Sequence, residues 1–158
     1  MNKLLTLCLI HEPPRLLLGL KKRGFGAGLW NGFGGKLQPG ESIEDAARRE
    51  CAEECGIRVK ELTQCGHLEF EFKGDPEIMD VHVFRVGGYD GEPVESEEMR
   101  PQWFDTAALP YDSMWADDRH WMPLFLAGKD FRGKFLFDGP DKIVSVDLKE
   151  VPDIRTAA

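Results

Sequence analysis

The sequence predicts an α/β fold, an α/β/α sandwich in which a mixed β-sheet lies between two helices. Short apolar runs recur between Gly and Pro turns, which is typical of β-strands. Two segments instead carry helix signals, one between Ser42 and Gly56 and one following Asp117. The 158 residues are 42% hydrophobic and show no repeat or linker. We therefore expect one domain, residues 1–158, with a real core.

The N-terminal part is predicted to form two strands and a glycine-rich loop. Residues 3–10 and 15–20 are strand-like and are separated by a turn at Pro13-Pro14. The loop at residues 24–28, GFGAG, has neither Walker spacing nor the spacing of a dinucleotide fingerprint. We therefore interpret it as a mobile loop beside a pocket.

The second half is predicted to supply most of the sheet and the last helix. Strands are expected at residues 60–72, 78–84, 100–104, 131–137 and 143–148, with a turn at 73–77 and an acidic loop or bulged hairpin at 87–98. The last helix should run to about Leu126, and Pro123 should kink it or mark a later start. The tail from Val151 is expected to be loose.

The helix at residues 42–56 carries an unusual group of carboxylates. Ser42 with an acid three residues on fits a capping box, and Gly56 fits a left-handed stop. Between them Glu50, Glu53 and Glu54 are spaced i, i+3 and i+4, so they share one face. Like charges at these spacings destabilise a helix, so the clustering of these carboxylates requires an explanation.

That carboxylate face is not simply a solvated one. At about 100° per residue, Ile43, Ala46 and Ala47 fall in the same arc as the glutamates, which places the carboxylates on or beside the buried side of the helix. Carboxylates enclosed together either protonate or bind a cation, and Mg²⁺ and Mn²⁺ prefer oxygen ligands. A surface helix rich in Glu is the alternative.

Residues 35–57 carry a longer pattern that contains these glutamates. Gly35, Glu41 and the run RECAEECGI at residues 49–57 occupy the fixed positions of G-x5-E-x7-R-E-U-x-E-E-x-G-U, where U is a bulky aliphatic residue. The stretch therefore resembles the Nudix box, with one departure, Cys51 at a U position. Cysteine is a small buried hydrophobe, so looser packing without lost chemistry is expected.

The resemblance implies a Nudix fold and a phosphoanhydride hydrolase that uses Mg²⁺, for which Mn²⁺ could substitute. A cation is needed because the carboxylates would otherwise repel a polyphosphate. The catalytic residues that it implies are Arg49, Glu50, Glu53 and Glu54. The metal ligands that it implies are the carbonyl of Gly34 and the carboxylates of Glu50, Glu53, Glu54 and Glu98.

The roles of Glu98 and Glu41 remain open between two alternatives each, and Arg49 has an expected partner. Glu98 lies in an acidic run, so an ordinary solvated role is as open as a ligand role. Arg49, four residues before Glu53, is expected to pair with that glutamate. Glu41 is expected to brace the glycine-rich segment or to aid catalysis.

A closer resemblance covers nearly the whole chain. The stretches LLGLKKRGFGAGLWNGFGGK, PVESEEMRPQWF and MWADDRHW are similar to the animal oxidised purine nucleoside triphosphatases. That family cleaves nucleotides such as 8-oxo-dGTP and 2-oxo-dATP to monophosphate and pyrophosphate, which sanitises the nucleotide pool and prevents mutagenic incorporation into DNA. Ala116 stands where the family has Pro, which puts the rigidity of that loop in question. The substrate-binding residues implied are Thr6, Lys21, Phe25, Asn31, Phe33, Gly34, Gly35, Lys36, Phe70, Phe72, Met79, Trp115, Ala116, Asp117, Asp118 and Trp121.

The adjacent acids Asp117 and Asp118 have a chemical rationale beside that resemblance. Trp115 offers a face on which a purine could stack. Two adjacent carboxyls in an aromatic pocket cannot easily both ionise, so one should keep a proton and donate while the other accepts. Such a pair could match more than one arrangement of purine donors and acceptors. The alternative is that the two acids merely cap the last helix.

The remaining features bound the partners and the compartment. A formal net charge of −8 disfavours a polynucleotide partner. Four cysteines without a C-x-x-C pair indicate packed, reduced thiols in a cytoplasmic protein, with mitochondrial or nuclear nucleotide pools also open. The N-terminal apolar run is too short for a membrane span. We expect a monomer that binds a small nucleotide, with histidines that are structural or exposed.

Two other functions remain open from the sequence. One is a Nudix hydrolase of a different substrate, such as a capped RNA, a dinucleoside polyphosphate or a nucleotide sugar. The other is a non-catalytic nucleotide-binding module. Retention of all four acids of the box argues against the second.

Overall fold

The computed structural model describes residues 2–156. Its elements in chain order are β1 (Asn2–Glu12), β2 (Arg15–Lys21), β3 (Trp30–Asn31), α1 (Ile43–Cys55), β4 (Arg58–Phe72), β5 (Ile78–Asp90), β6 (Met99–Asp105), α2 (Asp118–Leu126), β7 (Asp130–Phe137) and β8 (Ile143–Val151). A short 3₁₀ helix, Tyr111–Ser113, precedes α2. No helix within residues 2–156 is long and apolar enough to cross a membrane.

The eight strands of residues 2–156 join one mixed sheet. A mixed sheet was predicted, but the two-residue strand β3 was not. The order of the sheet is β3-β2-β1-β5-β4-β7-β8, and β6 pairs with β2. The pairs β1–β5 and β4–β7 are parallel, whereas the other pairs are antiparallel. The parallel β1–β5 pair lies at the centre, so the N-terminal strand β1 is in the middle of the sheet.

The two helices cover opposite faces of this sheet, which confirms the α/β/α sandwich. Ala47, Cys51 and Cys55 of α1 belong to one buried cluster. Trp121, Met122 and Phe125 of α2 belong to the other. Strand β2 shows why: Leu17 lies in the α1 cluster, while its neighbours Leu16 and Leu18 lie in the α2 cluster. Successive side chains of a strand point to opposite faces.

Helix α1 begins and ends where the sequence predicts. The Ser42 hydroxyl accepts a hydrogen bond from the Asp45 amide at 3.1 Å. Gly56 has φ 76°, a left-handed conformation that glycine adopts without steric cost. Cys51, at the unusual position of the motif, is fully buried, and all four cysteines are free and buried as predicted.

Three boundaries differ from the prediction. Strand β5 continues to Asp90, so the loop that was expected from residue 87 starts after it. Helix α2 begins at Asp118 and contains Pro123, so Pro123 does not mark a later start. The tail is not loose from Val151, because Ile154 is 6% exposed and its amide donates to the Asp130 carboxylate at 3.0 Å. Residues 157 and 158 of that tail lie outside the described residues.

Candidate active site

A cleft of about 850 Å³ collects most of the predicted substrate residues. Its walls come from β1, the loop after β2, the segment before α1, the β4–β5 hairpin and the start of α2. The predicted residues that line it are Thr6, Lys21, Phe25, Asn31, Gly34, Gly35, Lys36, Phe70, Phe72, Met79, Trp115, Asp117 and Asp118. Glu54 of α1 also lines the cleft, so the carboxylate helix and the aromatic wall face one space.

Three predicted substrate residues do not line this cleft. Phe33 is fully buried in the α1 cluster. Trp121 is only 1% exposed in the α2 cluster. Ala116 packs against that same α2 cluster. Their side chains belong to the core instead, because the folding of the chain, rather than residue type, decides which aromatic side chains remain exposed in the cleft.

Asp117 and Asp118 are buried carboxyls that face the cleft. They are 5% and 7% exposed. Burial raises the pKa of Asp118 well above its usual value, and the neighbouring Asp117 raises it further. Burial also raises the pKa of Asp117, but hydrogen bonds from Trp121 and Asp118 oppose that rise. Burial thus favours retention of a proton by this pair, and the direction of the shift is stronger for Asp118.

The alternative in which the two acids only cap α2 is wrong. Asp117 has helical backbone angles, φ −72° and ψ −25°, and its side chain makes no capping hydrogen bond. Its Oδ2 instead accepts from the indole Nε1–H of Trp121 at 2.8 Å. The contact runs across one turn of α2 and fixes the carboxylate in the wall of the cleft.

Aromatic side chains form an apolar slot in the same cleft as these acids. The rings of Phe25 and Trp115 lie 4.9 Å apart, and Phe25 also contacts Phe72 edge-on at 6.3 Å. Phe25 is 55% exposed, at the tip of the loop after β2. A Cβ on Gly26 would lie 3.2 Å from the Trp115 ring, so this glycine lets the loop lie against the indole. The slot has the flat, apolar character that suits a planar base.

The carboxylate face of α1 is partly enclosed, as its spacing predicts. Glu54 is 8% exposed and accepts from the Gly34 amide at 2.8 Å. Burial raises the pKa of Glu54 to about 8. Burial also raises the pKa of Glu50, and the hydrogen bond and charge of Arg49 oppose that rise. A Cβ on Gly35 would lie 2.9 Å from the Glu50 carboxyl, so this glycine allows the main chain to approach the face closely.

Arg49 connects this face to the segment before the helix. It donates to Glu41 at 2.8 and 3.0 Å, to Glu50 at 2.8 Å and to Glu53 at 3.1 Å. It also donates to the Lys36 carbonyl at 2.9 Å. The predicted pairing of Arg49 with Glu53 is present, and Glu41 is bound to the same guanidinium. One guanidinium thus holds several carboxylates in fixed positions.

Glu98 reaches this region through a loop that Ser96 anchors. The Ser96 hydroxyl donates to the Glu54 carbonyl at 2.7 Å and accepts from the amides of Glu98 at 3.3 Å and Met99 at 3.1 Å. The Glu98 carboxylate itself pairs with Arg23 and adds to the negative charge that raises the pKa of Glu54. The sequence gives no signal for Ser96, because its hydroxyl matters only once the loop meets α1.

A separate polar cluster lies away from the cleft lining, on β4 and β5. His67, Asp80 and His82 place potential ligand atoms within 4.8 Å of one another. The two rings are stacked at 4.6 Å and 18°, so their nitrogen lone pairs cannot converge on one ion without rotation of a ring. Arg132 donates to His67 Nδ1 at 3.1 Å, which leaves Nε2–H to donate to Asp80. The cluster is thus a hydrogen-bonded network, consistent with structural histidines.

A second cavity, of about 500 Å³, contains none of the predicted site residues. Two contacts join residues of its lining: the Tyr89 hydroxyl donates to Glu12, and the Arg15 guanidinium lies 4.0 Å from the centre of the Trp103 ring.

Comparison with known proteins decides the family. The NUDIX domain model matches residues 1–125, which contain the whole 35–57 pattern and the Asp117–Asp118 pair. The chain belongs to the Nudix family. Nudix hydrolases generally use a divalent metal ion.

Two relatives within the Nudix family match over nearly their full length. A Danio rerio protein named oxidized purine nucleoside triphosphate hydrolase is 59% identical over 97% of this chain and 98% of that protein. A Mus musculus protein of the same name is 55% identical over 95% of this chain and 96% of that protein. A solved MutT protein from Bacillus halodurans superposes with a TM-score of 0.79 at 25% identity, covering 93% of this chain and 97% of that one.

The Nudix carboxylates here fit a hard divalent cation. Glu50 and Glu54 are enclosed, and burial raises the pKa of each, which is the behaviour of carboxylates that lack sufficient positive charge. Gly34 and Gly35 bring main-chain atoms beside them. Oxygen donors of this kind suit Mg²⁺ or Mn²⁺ better than softer metals.

Proposed function

We propose that this Nudix protein hydrolyses oxidised purine (deoxy)nucleoside triphosphates, such as 8-oxo-dGTP and 2-oxo-dATP, to monophosphate and pyrophosphate. The observation that carries the proposal is the buried Asp117–Asp118 pair in the same cleft as the carboxylate helix. The name shared by the two relatives at 59% and 55% identity supports it. The reaction would remove damaged nucleotides before their incorporation into DNA.

The purine is recognised at the aromatic end of the cleft. Trp115 stacks on the base, a contact worth about 1–3 kcal/mol. Asp118 donates a hydrogen bond to the base and Asp117 accepts one, and a proton shift between them reverses these roles. Asn31, which also lines the cleft, can both donate and accept at the edge of a base. This adaptability accounts for a substrate range that spans oxidised guanine and oxidised adenine.

The triphosphate is held at the Nudix box. Glu50, Glu53, Glu54, Glu98 and the Gly34 carbonyl are the proposed ligands of Mg²⁺, with Mn²⁺ as a substitute. A bound cation would neutralise phosphate charge and lower the barrier to attack by water. Arg49 keeps Glu50 and Glu53 oriented. A carboxylate of this face that is not held by the cation orients the attacking water as general base.

The remaining parts of the proposal concern the whole chain. Residues 1–158 form a single Nudix domain, since β1 lies beside β5 in the middle of the one sheet and β8 ends that sheet. The protein acts as a monomer on small nucleotides of the cytoplasmic pool, and mitochondrial or nuclear pools are further sites of action. A net charge of −8 supports a small nucleotide over a polynucleotide.

A substrate comparison tests this function. The purified chain is incubated with 8-oxo-dGTP, 2-oxo-dATP, dGTP and GTP in Mg²⁺, and monophosphate and pyrophosphate are both quantified, with a chelator as the metal-free control. We expect higher kcat/KM for the oxidised nucleotides and equal amounts of the two products. Cleavage of GTP as efficient as that of 8-oxo-dGTP, or release of orthophosphate, would contradict the proposal.

A further inference from the structure

The loop between β2 and β3, residues 22–29, contacts both halves of the proposed site. At its tip the Phe25 ring lies 4.9 Å from that of Trp115, and Gly26 lies against the same indole. At its start the amide of Lys22 donates to the Glu98 carbonyl at 2.8 Å. Phe25 belongs to the aromatic slot, whereas Glu98 is the proposed metal ligand outside α1. One short loop therefore joins the slot to the segment that carries this ligand.

Two consecutive cations of this loop bind the acidic loop, residues 95–98. The Lys22 ammonium donates to the Ser96 carbonyl at 2.7 Å and pairs with the Glu95 carboxylate. The Arg23 guanidinium donates to the Glu98 carboxylate through Nε at 2.9 Å and through a terminal nitrogen at 2.5 Å. Main-chain and side-chain bonds thus hold the two loops together, so a movement of one loop is transmitted to the other.

The contact between Arg23 and Glu98 suits a carboxylate that also binds a metal ion. Both hydrogen bonds end on the same oxygen, Oε1, so Oε2 is left for a cation. The same guanidinium also lies 3.7 Å from the Glu97 carboxylate. Hydrogen bonds of this kind orient the carboxylates that ligate metals. The Glu98 side chain is 43% exposed, and fixing it in advance lowers the entropy lost when a cation binds.

We propose that Arg23 is a positioning residue that orients Glu98 for the divalent metal ion and couples the metal site to the base slot. This inference rests on the proposed function and adds Arg23, which is not among the predicted site residues. A base bound against Trp115 and Phe25 orders the loop that carries Arg23, and Arg23 in turn orders Glu98. Binding at either end then favours binding at the other, by the same factor in both directions.

The variant Arg23→Gln tests the positioning role. Ion pairs as exposed as this one contribute about 0–1 kcal/mol to stability, so the variant should fold. Its Mn²⁺ affinity, measured by calorimetry without nucleotide, should fall about tenfold because Glu98 is no longer oriented. Arg23→Lys should restore part of the affinity. In a Glu98→Gln background, Arg23→Gln should cause no further loss. The control is Arg155→Gln, which removes a similarly exposed guanidinium paired with Asp153 and should leave the affinity unchanged.

The nucleoside 8-oxodeoxyguanosine tests the coupling, because it has no phosphate through which it could bind the metal ion. Saturating the wild-type protein with this nucleoside should raise the Mn²⁺ affinity about fivefold, and Mn²⁺ should raise the nucleoside affinity by the same factor. In Arg23→Gln the two ligands should bind independently. Independent binding in the wild-type protein would overturn the coupling.

The outcomes also separate the role of Arg23 from the activity. An unchanged or higher Mn²⁺ affinity of Arg23→Gln would overturn the positioning role, and a higher affinity would show that Arg23 competes with the metal ion for Glu98. An equal loss in the Glu98→Gln background would overturn it too, because the effect would not act through that carboxylate. In each case hydrolysis of 8-oxo-dGTP by the wild-type protein leaves the proposed function standing. If Arg23 controls Mn²⁺ affinity in a protein that cleaves none of the nucleotides, the positioning role stands and the proposed function fails.

Discussion

Replacement of Glu54 by Gln should abolish turnover and stabilise the metal-free protein. Glu54 is 8% exposed and accepts from the Gly34 amide at 2.8 Å. Burial raises its pKa to about 8, from an ordinary value of 4.5. At pH 7 the folded metal-free protein therefore keeps the carboxyl proton, whereas the unfolded chain releases it. Glutamine matches the shape of the protonated carboxyl and still offers an oxygen to the Gly34 amide.

The magnitude follows from proton linkage. Between pH 4.5 and 8 the folded state binds more protons at Glu54 than the unfolded state does, so stability falls as pH rises. The slope is about 1.4 kcal/mol per pH unit, which gives up to about 3 kcal/mol by pH 7. The neutral amide of the Glu54→Gln variant has no such dependence. At roughly 2–4 °C per kcal/mol for a chain of this size, the variant should melt several degrees higher without metal.

In Mg²⁺ the wild-type protein should instead have a higher melting temperature than the Glu54→Gln variant. A cation that binds only the folded state stabilises it in proportion to its affinity. Wild-type protein has the full set of carboxylates, while Glu54→Gln lacks one charged ligand. Melting curves from pH 5 to 8.5, with Mg²⁺ or with chelator, measure this difference alongside pyrophosphate release. Glu44→Gln, in the exposed first turn of α1, is the matched control and should shift stability by less than about 1 kcal/mol.

Two results would refute this reasoning. Near-normal turnover of Glu54→Gln would remove the carboxylate face from catalysis. A lower melting temperature of the metal-free variant at pH 7 would show that Glu54 is not held protonated by its burial.

Three further predictions concern the anchoring loop, the base slot and the stacked histidines. Ser96→Ala removes the hydroxyl that connects the loop carrying Glu98 to the Glu54 carbonyl. The Mn²⁺ affinity measured by calorimetry should therefore fall about tenfold, a loss of about 1.4 kcal/mol. Ser96→Thr should restore the affinity, and an unchanged affinity of the alanine variant would contradict this role of Ser96. Trp115→Ala should raise KM for 8-oxo-dGTP by roughly 5- to 100-fold through lost stacking, and an unchanged KM would place the base elsewhere. Burial lowers the pKa of His82 below 6.5, so its contribution to stability is present above pH 6.5 and is lost as pH falls from there through the lowered pKa. The free energy of unfolding, measured in urea, should therefore depend less on pH between pH 5 and 7 in His82→Gln than in the wild-type protein. An equal pH dependence of that free energy in both proteins would contradict the prediction for His82.

Local features of the chain were predictable because local interactions create them. The cap at Ser42 and the stop at Gly56 involve only residues of one helix and its ends. The shared face of Glu50 and Glu54 follows from helical periodicity alone. The strands were predicted from their alternation and turns, with errors mainly at boundaries such as Asp90, where pairing with a neighbouring strand extends the element.

The walls of the cleft depended on contacts between distant segments. The sequence grouped Phe33 and Trp121 with the open aromatic residues, yet packing of each helix on its own face of the sheet buries both. Ser96 gave no sequence signal, because its hydroxyl acts on the end of α1 only after the chain has folded.

The sequence by itself thus determined the carboxylate-bearing helix and the family, since both depend on residue spacing within one short stretch. The tertiary structure alone decided how the walls of the cleft are built. Asp117 accepts from Trp121 instead of capping α2, and the Asp117–Asp118 pair shares one cleft with Glu54 of α1. These properties arise from burial and from the approach of separate segments, and neither is encoded in any single stretch of the chain.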